Sequence, residues 1–142
     1  MRAHLASAEL DIPAPRERVW QLLTQRGPDP DIMFGAEVIS DWTPGASVRW
    51  IGEWEGEPFE DIGEVLAIDP PHRLLLARVS SLGGTDGTPD RPAHVEILLE
   101  PLGDDATHVI VLQAHNADAA AAGHSAATWQ AMLAGLARAA AR

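Results

Sequence analysis

The chain has 142 residues and a formal net charge of −11, and its ten basic side chains are all arginine. That length is one ordinary domain, 1–142, long enough to bury roughly 70% of its extended-state surface without staples. With no cysteine and no lysine, disulfides, thiolate metal sites, a Cys nucleophile, Schiff-base chemistry and a Walker lysine are excluded. The acidic balance without a basic cluster argues against nucleic acid and against an anionic membrane surface. The first residues, "MRAHLASAELDI", hold no apolar stretch of signal-peptide length, and no segment reaches the roughly 18 apolar residues of a membrane span. A cytoplasmic domain is the expectation.

In chain order, residues 4–12 alternate as a strand, ended by Pro13. Pro15 then marks a helix start, where its missing N–H does no harm, and Val19, Trp20, Leu22 and Leu23 form the apolar side of that helix. "GPDPDIMF" repeats the signal, with Asp29 as cap and Pro30 in the first turn, and predicts a second short helix. Six strand-like segments follow at 36–42, 46–55, 59–68, 72–81, 93–101 and 106–115. Thr43-Pro44-Gly45, Asp69-Pro70-Pro71 and Gly103-Asp104-Asp105 are the turn signals between them. The glycine-rich run 81–92 reads as a mobile hairpin loop; it lacks the G-K-[ST] ending of a phosphate cradle.

The chain ends in a helix. Trp129, Met132, Leu133, Leu136 and Ala140 recur at helical spacing, with Asp118 or Ser125 as the cap. From Ser125 to Ala141 it would be about 25 Å long, enough to lie across a sheet. The predicted order β-α-α-β-β-β-β-β-β-α implies an α+β fold, an antiparallel sheet with its helices on one side.

That order and several motifs together resemble a known group. "ELDIPAPRERVWQLLTQ" is similar to the opening of the SRPBCC (START-like, helix-grip) superfamily. "ISDWTPGASVRW" resembles its second and third strands. "GEVLAIDPPHRLLLAR" is similar to a hairpin of the branch named for activators of the heat-shock chaperone ATPase (AHSA-type), and "THVIVLQAHN" and "GHSAATWQAMLAGL" resemble that branch's last strand and final helix. The resemblance covers nearly the whole chain. It implies a curved sheet of about seven strands gripping a long C-terminal helix, with an internal cavity for an apolar ligand. Members include lipid carriers, hormone receptors, polyketide cyclases and co-chaperone domains, so fold alone leaves the function open.

The candidate site residues follow from the strand and helix faces. In "VRWIGEWEGEPFEDIGE" (48–64), Trp50 and Trp54 share a face with Gly52 bare between them, framing a space or simply filling core. The acids Glu53, Glu55, Glu57, Glu60, Asp61 and Glu64 lack calcium-loop spacing and read as a solvated face. His115, at the end of the last strand, is a candidate acid/base or polar anchor, with Gln113 and Asn116 as neutral partners. Asp118 and His124 nearby form too loose a pattern for a metal, and His94 and His108 read as surface residues. Met33 and Phe34 are placed for an entrance, and Trp129, Met132, Leu133 and Leu136 for core and cavity wall together. No serine lies in a nucleophile motif, and no metal or cofactor is expected. The leading expectation is a protein that binds a small hydrophobic or aromatic molecule. The alternatives are a cyclase- or hydrolase-type enzyme pairing His115 with a carboxylate, and an interaction module or homodimer.

Overall fold

The computed structural model describes residues 4–79, 92–116 and 118–142, apart from the Trp54 side chain. Most of the predicted 81–92 loop lies outside the described residues. The elements are β1 (His4–Ile12), α1 (Arg16–Thr24), a 3-10 turn (Met33–Gly35), β2 (Glu37–Ser40), β3 (Ser47–Trp54), β4 (Glu57–Asp69), β5 (Arg73–Val79), β6 (Ala93–Pro101), β7 (Thr107–Asn116) and α2 (Ala119–Ala140). The seven strands form one antiparallel sheet in the order β1-β7-β6-β5-β4-β3-β2, with the first strand closing beside the last. This is the α+β helix-grip architecture, a curved sheet around a long C-terminal helix. Among the described residues, no helix is long and apolar enough to cross a membrane.

Alternation decides which side of each strand is wet. In β6 the odd-numbered residues Ala93, Val95, Ile97 and Leu99 are buried, and their even-numbered neighbours are half-buried or exposed. The inward face packs against α2, which also meets α1 and the 3-10 turn. The buried positions of α2, from Ala121 through Ser125, Trp129, Met132 and Leu136 to Ala139, recur every three or four residues. At 22 residues the helix is about 33 Å long, so it starts at the earlier of the two caps the sequence offers. Asp118 is its cap, accepting from the Ala121 amide at 2.8 Å, and Gly123 lies inside the first turns rather than before them. Across β4, a bulge between Val65 and Ala67 bends the strand and helps the sheet to curve.

The second predicted helix does not form. Asp29 accepts from the amide of Asp31, two residues on, as a helix cap would, but the backbone turns left-handed at Met33 and Phe34 and no helix propagates beyond it. The run instead ends in the 3-10 turn, with Met33, Phe34 and Gly35 all at positive φ. Arg138 of α2 and the C-terminal Arg142 beyond it hold this segment. Arg138 donates to Asp31 at 3.2 Å, and Arg142 to Asp29 at 2.7 Å. The Asp31 amide, and after it Arg142, hold the Asp29 carboxyl below its ordinary value.

On the outer face, His108 of β7 sits between two carboxylates of β1, with Nδ1 2.5 Å from Asp11 and Nε2 3.1 Å from Glu9. Asp11 first, and Glu9 after it, raise the imidazole pKa above its ordinary 6.5 against partial desolvation. A raised folded-state pKa stabilises the fold fully below the unfolded value and loses that contribution as pH rises through the folded one. His108→Gln is therefore expected to be less stable than the parent near pH 6, by under about 1 kcal/mol because both acids are exposed. The difference should shrink on raising the pH to about 9, as read by urea unfolding at each pH.

Candidate functional site

Between the sheet and α2 lies a cavity of about 80 Å³. Its floor is the inward face of the sheet. Trp50 of β3 stands opposite Asp61 of β4, and Leu76 and Arg78 of β5, Val95 of β6 and Gln113 of β7 continue the surface. Its roof is α2, through Ser125, Thr128, Trp129 and Met132, and its mouth is formed by Met33 and Phe34. Phe34 is 42% exposed.

Six of the residues expected at the site line this cavity: Met33, Phe34, Trp50, Gln113, Trp129 and Met132. Of four further expectations, three resolve differently and one lies outside the described residues. Leu133 and Leu136 are wholly buried in the core cluster and do not line the cavity, which α2 covers only with residues 125–132. The Trp54 side chain lies outside the described residues. The bare spot at Gly52 is not open space either. A methyl group there would lie 3.0 Å from the Phe59 ring and 3.3 Å from the Ala36 backbone, so Phe59, the cross-strand partner, covers Gly52.

His115 is the fourth, and a bulge explains it. Simple alternation would turn His115 inward with Gln113. However, β1 pairs His4 with Asn116 and Ala6 with Gln113, so β7 carries one extra residue there. His115 takes a left-handed conformation (φ 69°), and Asn116 occupies the inward position instead. The imidazole lies on the opposite sheet face, edge-on to His94 with ring centroids 4.8 Å apart. His115 therefore does not line this cavity, where it was expected as acid/base or polar anchor. Asp118 is occupied as a helix cap and His124 is exposed; among the described residues, no group of three or more His, Asp or Glu side chains could hold a metal ion.

The polar groups that do face inward form two sets. At the β7 end, Trp129 Nε1 donates to Gln113 Oε1 at 2.6 Å, and Gln113 Nε2 donates to Asn116 Oδ1 and Ser125 Oγ at 3.2 and 3.3 Å. Ser125 Oγ donates to Asn116 Oδ1 at 2.8 Å, and Asn116 Nδ2 donates to the carbonyls of His4 and Gln113. No buried side-chain polar atom among the described residues is left without a partner, as the cost of desolvating such groups demands. Ser125→Ala, which removes the hydroxyl bridging Gln113 and Asn116, should cost about 1 kcal/mol in urea unfolding.

At the β4–β5 end, Arg78 donates to Asp61 at 2.6 Å, and its guanidinium lies 5.9 Å from the Trp50 ring centroid. The Asp61 side chain is 6% exposed and that of Arg78 22%. Asp61 corrects the reading of the acidic run as wholly solvated. Glu53, Glu55, Glu57 and Glu64 are exposed and Glu60 pairs with Arg49 at the surface, whereas Asp61 is turned inward. Strand parity carried this signal, since Asp61 pairs with Trp50 and so shares its face.

Comparison with known proteins follows the same outline. Residues 13–141 match the family model described as Activator of Hsp90 ATPase homolog 1-like protein. No curated protein sequence matches the chain. A protein from Cytophaga hutchinsonii with a solution structure is 32% identical, with a TM-score of 0.78, over 97% of this chain and 94% of that one. DynU16, from the dynemicin biosynthetic locus, is similar in fold at 23% identity and a TM-score of 0.76, over 95% of this chain and 46% of its own. The Aha1 dimer from Colwellia psychrerythraea is similar in fold at 14% identity and a TM-score of 0.73, over 96% of this chain and 95% of that one. With the family model covering nearly its whole length, the chain belongs to the Activator of Hsp90 ATPase homolog 1-like family.

Proposed function

We propose that the chain is a cytoplasmic protein that binds a small apolar or aromatic molecule in the space between its sheet and α2. The observation that carries this reading is the cavity itself, framed by Trp50, Phe59, Trp129 and Met132 and lined by the partly buried Asp61–Arg78 pair. Pockets of this make-up, mostly aromatic with few fixed polar groups, are the usual form of small-molecule sites. At about 80 Å³ the space is smaller than the roughly 150 Å³ that takes up benzene, so a ring enters only as the mouth residues give way. Phe34 is placed to move, being half-exposed and held in a left-handed conformation that costs roughly 1–2 kcal/mol. The placement of DynU16 in a biosynthetic locus is in keeping with a small-molecule role.

The reading is tested by titrating toluene into ¹⁵N-labelled protein and following the indole N–H cross-peaks. Trp50 and Trp129 should shift and Trp20, on α1, should not. Absence of any shift with toluene and a panel of other one-ring aromatics would reject the proposal.

A second reading, docking to a protein partner or to another copy of the chain, is favoured by family membership and by the dimeric Aha1 neighbour. Light scattering across a concentration series decides the homodimer form of it, and a constant monomer mass would remove that form.

A further inference from the structure

We propose that the cavity selects neutral one-ring aromatic molecules bearing a carbonyl-type hydrogen-bond acceptor, and that Arg78 supplies the donor. This assignment rests on the cavity-binding reading and sharpens it. Of the two polar sets that face inward, the Gln113 set is closed upon itself. Its amide oxygen is taken by Trp129, and its amide nitrogen by Asn116 and Ser125. A ligand could use Gln113 only by breaking buried bonds, which returns little net gain.

Arg78 differs. A guanidinium carries five N–H donors in a planar fork, and among the described residues one of them goes to Asp61. Its planar group is fixed by that bond and by the Trp50 ring, and it lines the cavity with donor capacity to spare. The cavity therefore offers donors to an acceptor, beside aromatic surfaces from Trp50 and Trp129.

Charge decides which acceptor. Arg78 is already balanced by Asp61, whose side chain is 6% exposed, so the pair is neutral as a unit. A carboxylate entering the cavity would bring a second negative charge beside a buried aspartate, where little water screens the repulsion. A ketone or amide oxygen takes the same hydrogen bond without that penalty. A plain hydrocarbon ring fits the walls but leaves the donors facing it without an acceptor.

The experiment compares three probes of similar size, toluene, acetophenone and benzoate, by calorimetry and by the Trp50 and Trp129 indole cross-peaks at pH 7. Acetophenone is expected to bind about tenfold more tightly than toluene, as one hydrogen bond to a charged group implies. Benzoate should bind at least about tenfold more weakly than acetophenone. In Asp61→Asn the order of the polar pair should reverse, with benzoate gaining on acetophenone because Arg78 is no longer neutralised. Arg78→Met should abolish the acetophenone preference while toluene binding persists.

Equal affinity of toluene and acetophenone, or benzoate binding as tightly as acetophenone in the parent protein, would overturn the assignment while leaving the cavity reading intact. If no probe binds, toluene included, both fail together. Should Asp61→Asn fail to fold, the three-probe comparison in the parent protein still decides.

Discussion

Asp61→Ala should lower the stability of the domain by about 2–3 kcal/mol, the range for removing one partner of a buried pair when the other keeps some access to water. The cost arises less from the lost attraction than from what stays behind. Arg78 would keep its charge under Trp50 with its carboxylate partner gone. Replacing both residues at once, Asp61→Leu with Arg78→Met, should therefore recover most of the loss, since two apolar side chains leave no stranded charge. Urea unfolding of the parent, the two single variants and the double variant measures this directly. If the double variant is as unstable as the sum of the singles, the pair does not act as a unit. Recovery of stability together with loss of the acetophenone preference would separate the pair's binding role from any structural one.

Gly135→Ala and Gly123→Ala, the same change on the same helix, should move stability in opposite directions. A methyl group on Gly135 would lie 2.1 Å from the Asp31 carbonyl oxygen, because α2 runs against the 29–32 segment there. Alanine's better helix propensity is worth about 1 kcal/mol, and overpacking against backbone costs roughly 1–3 kcal/mol. The collision is with main chain tied down by Arg138 and Arg142, so the upper part of that range applies, and a net loss of about 2 kcal/mol is expected. At Gly123 nothing lies within 4 Å of the added methyl, and a gain of about 0.5–1 kcal/mol is expected. Thermal and urea unfolding of both variants checks the signs; stabilisation by Gly135→Ala would mean that the 29–32 segment is free to move. The Gly135 contact also bears on the cavity mouth, since Met33 and Phe34 follow directly on the segment it holds.

Much of this molecule was legible from side-chain periodicity. The strands at 4–12 and 93–101 lie where alternation placed them, because every second residue must leave water. The α2 stripe was equally readable, as Trp129 and Met132 could face only one layer. Periodicity fails where one residue breaks the count. The extra residue in β7 turns His115 outward and Asn116 inward, and only pairing with β1 reveals it. A helix signal likewise failed after Asp29, where the cap bond forms but left-handed backbone at Met33 and Phe34 stops the helix.

By itself, then, the sequence determined the class of the domain, the faces of its strands and helix, and the aromatic character of the space between them, because these depend on local pattern and on the demand to bury apolar surface. Tertiary structure alone decided what stands inside that space. Phe59 reaches across to Gly52 from a neighbouring strand, and Asp61 meets Arg78 from 17 residues away. Gln113 is tied up by Trp129 of the helix above it. Contacts between strands and across layers depend on register, and register is set by bulges and packing that no single segment records.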